Sequence, residues 1–115
     1  MYEHHTLLLL KKAVDQPDDL TDAEIAELDS FFELAWNMWA SQIAMGRHGL
    51  NDGTVDMAAT DLAWYMQSQV GRNWVFANRS WMSVEPELLA ALLARFEETP
   101  LPTKFVYIQT LKASP

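Results

Sequence analysis

Apolar residues recur along most of this chain at the three-and-four spacing of an α-helix, in blocks separated by short polar breaks. The first block predicts a helix over residues 2–14, with Leu7, Leu10 and Val14 on one stripe. Gln16-Pro17-Asp18-Asp19 ends it, because proline disfavours helix in the residue before it. The second block has the clearest start signal: Thr21-Asp22-Ala23-Glu24 sets a hydroxyl at the N-cap and a glutamate three residues on, a capping box. A helix is predicted from there to about residue 47, stopping near Gly49. At about 100° per residue, Ile25, Leu28, Phe31, Phe32, Leu34, Ala35, Met38, Trp39, Ile43 and Met45 fill an arc of roughly 200°. One neighbour cannot cover so wide an arc, so this helix is expected to be a spine flanked on two sides.

Leu50-Asn51-Asp52-Gly53 reads as a turn. A third helix is predicted over 54–70, with Leu62, Trp64, Tyr65 and Met66 partly buried, and Gly71 either ends or re-aims it. A fourth segment, 72–81, sets Val70, Trp74, Ala77 and Trp81 on one face. Ser83 to Pro86 restarts the chain, and Leu88, Leu89, Leu92, Leu93 and Phe96 make 86–98 amphipathic. The tail differs. Residues 104–111 are β-branched and aromatic, which favours an extended strand without an evident partner. The expected fold is all-α: a helical domain at 1–98, a small bundle of four to five helices around one long central helix, then an extended C-terminal tail or single strand at 99–115.

Composition narrows the function more than it defines it. With 115 residues, half of them apolar, the chain suits one domain with one core. There is no cysteine, which excludes disulfides, thiolate metal sites and a cysteine nucleophile. The net charge of −8 is concentrated at the front, where residues 1–36 hold nine acids against two lysines. That balance opposes direct binding to a phosphate backbone. It either keeps a tryptophan-rich protein soluble or forms a decoy that mimics nucleic acid. Leu7 to Leu10 is too short for a membrane span or signal core and is followed at once by Lys11 and Lys12, so a cytoplasmic location without membrane contact is expected.

Candidate chemistry is sparse. His4, His5 and His48 form no metal motif, the acids at 15–22 lack the glycine and terminal glutamate of a calcium loop, and no nucleophile elbow or phosphate loop occurs. No cofactor and no catalytic activity are therefore expected. The most distinctive stretch is 71–79. Arg72 and Arg79 lie seven apart and share a face about 10 Å long. Trp74 and Trp81, offset by two residues, point the other way, which predicts two tryptophans inward and two arginines outward. Outward arginines suit an anion or a partner's carboxylates, and the plainer alternative pairs them with the acidic spine helix.

The run Gly71-Arg72-x-Trp74-x-x-x-Asn78-Arg79, with Gly49-Leu50-x-Asp52, Leu20-Thr21-x-x-Glu24 and the Trp36 to Trp39 stretch, resembles a group of small uncharacterised bacterial helical proteins over residues 20–98. Many of those carry a membrane segment ahead of the helices and a second tryptophan where this chain has Val75. The resemblance implies an all-helical fold and brings no activity. The expected function is a non-enzymatic protein-interaction or regulatory module, open to homodimerisation, engaging a protein partner or a second copy through Arg72, Arg79, Trp74, Trp81, Phe105 and Tyr107. Two other readings stand beside it. One is an acidic phage or mobile-element inhibitor; the other is a small-molecule sensor with an aromatic pocket between the spine helix and Trp64 or Trp74.

Overall fold

Proline and capping signals set most of the element boundaries, as the computed structural model of the chain, which describes residues 4–46 and 53–107, bears out. Five helices follow one another among the described residues: α1 His4–Asp15, α2 Asp22–Met45, α3 Gly53–Tyr65, α4 Gln69–Met82 and α5 Pro86–Glu98. A short 3-10 turn at Pro17–Asp19 joins the first two, and no strand occurs among the described residues. The protein is an all-α bundle. No described helix is long and apolar enough to cross a membrane.

The capping box at the start of α2 is complete. Thr21 Oγ1 accepts from the Glu24 N–H at 3.1 Å, and Glu24 Oε1 accepts from the Thr21 N–H at 2.9 Å. Glu24 also takes Lys12 Nζ at 2.9 Å, so the residue that starts α2 fastens α1 beside it. His5 with Glu27 adds a second, exposed contact between the two helices, and Lys11 pairs with Asp15 within α1. Asp15, Glu24 and Glu27 of the acidic block are thus engaged inside the molecule. His4 is exposed, His48 lies outside the described residues, and no group of three metal-ligating side chains occurs among those described.

Helix α2 is the longest element and packs against α1, α3 and α4. It buries Leu28, Phe32, Ala35, Trp36 and Ile43, and its Trp39 indole donates to Asp61 of α3 at 2.7 Å. Helix α5 pairs most extensively with α3, setting Leu88, Leu92 and Phe96 into the core. The 200° arc predicted for α2 is only partly covered. Leu34, Met38 and Met45 are 68%, 42% and 81% exposed. On the helical wheel these three fall within about 40° of one another and roughly 130° from the buried face. The neighbours of α2 all sit on one side, so the far edge of its apolar arc stays bare.

The third helix is shorter than its pattern predicts. It ends at Tyr65, and α4 begins at Gln69 after a turn through Met66, Gln67 and Ser68. The break precedes Gly71 instead of falling on it. Ser68 supplies the N-cap of α4, its hydroxyl accepting the Gly71 N–H at 3.0 Å. The strand predicted at 104–111 is not formed at 104–107, and 108–111 lie outside the described residues.

Candidate functional site

The α3–α4 corner decides where the side chains of 71–79 go. A Cβ built on Gly71 meets the Met66 backbone, with Cα at 2.5 Å and the carbonyl carbon and oxygen at 2.7 Å. Its φ is not positive, so the residue serves close approach and not an unusual dihedral. With that contact made, the inward line of α4 is Gly71, Val75 and Met82, with Trp74 at its flank. The predicted inward face of Val70, Trp74, Ala77 and Trp81 is about a quarter turn away from that line.

This rotation corrects two expectations. Trp74 is buried and packs at a tilt against Phe32, ring centres 6.0 Å apart, but Trp81 is 38% exposed; its indole donates to Asn78 Oδ1 at 2.7 Å, edge-on to Trp74. Arg72 and Arg79 do share a face, yet Arg72 does not point outward. It is only 9% exposed. Its Nη1 donates to the carbonyls of Phe96 at 3.2 Å and Thr99 at 3.0 Å, Nη2 makes a longer contact with Pro100 O at 3.5 Å, and the guanidinium lies 5.1 Å from the Phe96 ring centre. Nor does it pair with the acidic spine helix. The last carbonyls of α5 lack helical partners and carry the negative end of the helix dipole, and the buried arginine satisfies that of Phe96 together with the carbonyl of the C-cap, Thr99. Burial lowers the Arg72 pKa from its ordinary value. Two turns on, Arg79 lies away from the C-terminal end of α5, in a groove shared with Leu93; it is exposed and rests on Phe76 through that residue's carbonyl and ring.

The other two predicted residues sit on the segment after α5. Phe105 is buried, its ring 5.6 Å from Trp64, and Tyr107 is 40% exposed with its ring 5.0 Å from that of Phe105. Side chains hold the backbone here. Gln67 grips both backbone groups of Val106, accepting its N–H at 2.8 Å and donating to its carbonyl at 3.2 Å. The Trp64 indole donates to the same carbonyl at 2.6 Å, and Asp15 Oδ1 accepts the Phe105 N–H at 2.8 Å. An amide used this way satisfies both backbone groups as a neighbouring strand would. Sequence reasoning missed Gln67 and Asp15, because nothing local marks a residue whose partner lies 39 or 90 positions away.

Under this strap lies a cleft of about 350 Å³ between α3, α5 and residues 99–106. Trp64, Phe96, Pro100, Pro102 and Val106 give it an apolar wall, and Arg72 reaches it from below. Trp64 therefore does line a pocket, but against α5 and the strap, not against the spine helix. Trp74 is packed into the core instead.

The strap carries a pH dependence. The Lys11 hydrogen bond, and after it the Phe105 N–H, hold the Asp15 carboxyl below its ordinary value of 3.8. A carboxyl lowered in the folded state contributes stability that is complete above its unfolded value and is lost as pH falls through the folded one. Acidification below pH 3.8 is expected to lower the protection of the Phe105 amide, its exchange rate being compared with the intrinsic rate at the same pH. Asp15→Asn should flatten that response. Identical exchange profiles in the two proteins would mean that the contact carries none of the strap's stability.

The chain matches no protein-family model, no curated protein and no solved structure.

Proposed function

We propose that this protein is a non-enzymatic interaction module that pairs with a second copy of itself through the bare stripe of α2. The observation behind this reading is the exposure of Leu34, Met38 and Met45 on one line of one helix, spanning about 16 Å. Apolar side chains grouped in this way favour association, whereas scattered ones need no explanation. Charge selects the geometry. The N-terminal half of α2 carries Asp22, Glu24, Glu27, Asp29 and Glu33, while its C-terminal half carries no charge at all. An antiparallel pairing centred between Met38 and Ser41 keeps the two acidic halves at opposite ends; a parallel one would stack them. A single helix face buries less area than a permanent dimer needs, so the pairing is weak and concentration-dependent.

Light scattering coupled to size exclusion tests the reading. The wild-type protein is expected to move from monomer toward dimer as concentration rises, and Leu34→Glu with Met38→Glu to hold it monomeric. Both sites are exposed, so the melting temperature of that double variant should stay close to the wild-type value. A wild-type protein that stays monomeric at millimolar concentration removes the proposal.

A further inference from the structure

We infer that the cleft beneath the strap binds a small monocarboxylate with an aromatic or aliphatic body, anchored by the Nε–Nη2 edge of Arg72. The guanidinium is used unevenly. Nη1 is engaged twice, by Phe96 and Thr99, but Nε is buried with no acceptor and Nη2 has only the 3.5 Å contact to Pro100. Nε–H and the adjacent Nη2–H form the fork that receives both oxygens of a carboxylate. No ion pair among the described residues involves Arg72, so its charge faces carbonyl dipoles and the Phe96 ring but no anion. A buried donor without an acceptor costs free energy, and so does a buried cation without an anion. A carboxylate relieves both at once.

The cleft sets the rest of the ligand. Its volume of about 350 Å³ lies within the range of small-molecule sites, at the small end. Its walls are aromatic and proline surfaces, suited to an uncharged body. The second arginine on its rim, Arg95, is already paired with Asp56, which argues for one acidic group and not two. Nε is sealed from solvent. The carboxylate therefore enters by displacing the Pro100 carbonyl, the longest of the Arg72 contacts, and residues 99–102 move outward as it does. Occupancy and the seating of the strap are thereby coupled, independently of the α2 stripe.

Titration of the full chain with octanoate and with 3-phenylpropanoate, each beside its neutral amide, tests the inference by calorimetry and by the arginine Nε–H resonances in ¹H–¹⁵N spectra. At least one acid is expected to bind about tenfold or more tighter than its amide, shifting the Arg72 Nε–H signal. In Arg72→Gln the preference for acid over amide should fall to about one. The wild-type comparison stands even where that variant folds poorly. Equal binding of acid and amide, an unmoved Nε–H signal, or no binding of either acid at millimolar concentration would overturn the assignment.

Discussion

Gly71→Ala is expected to destabilise the protein by about 3 kcal/mol or more, lowering the melting temperature by on the order of 10 °C. Local propensity predicts the opposite sign. Gly71 lies inside α4, where alanine is ordinarily better than glycine by about 1 kcal/mol. Space decides against it. The added methyl would stand 2.5 Å from the Met66 Cα, and a backbone atom cannot swing aside as the end of a side chain can. Relief requires the α3–α4 turn to open, which pulls Val75 and Met82 from the core and lifts Arg72 from the end of α5. Thermal and urea denaturation measure the change. A neutral or stabilised variant would show that the turn at 66–68 yields cheaply and that propensity governs this position.

The second large effect belongs to Arg72. Arg72→Ala is expected to cost about 2–4 kcal/mol, because it leaves the Phe96 and Thr99 carbonyls without their buried donor and removes a well-packed side chain. Arg79→Ala, seven residues on, is expected to stay within about 0.5 kcal/mol, since that side chain is exposed. The contrast between the variants matters more than either value. Two arginines that a helical wheel makes equivalent should differ several-fold in the loss of urea midpoint and of protection in the last turn of α5 that their removal causes. Equal small losses would mean that the α5 terminus is held without Arg72.

These two positions also show how far the chain's pattern can be read. Helix existence was legible throughout, because each helix carries its own periodicity and most carry their own punctuation: Pro17 after α1, Thr21 and Glu24 before α2, Pro86 at the start of α5. The break between α3 and α4 was placed too late. Glycine is the usual breaker, but here Ser68 caps the new helix and Gly71 is kept for contact with Met66. Among the six candidate binding residues, Trp74 and Phe105 turned out to be core, Arg72 a buried support, and Arg79, Trp81 and Tyr107 surface.

The sequence by itself determined that the chain is helical, where its spine begins and which stretches are amphipathic, since capping and periodicity act between residues a few positions apart. Only the tertiary structure decided which edge of the α2 arc stays bare, which of two equivalent arginines is buried, and that Gln67 and Asp15 hold the segment after α5. Each of those outcomes depends on which distant part of the chain is packed opposite. A helical wheel fixes the angle between two side chains but not what stands opposite them.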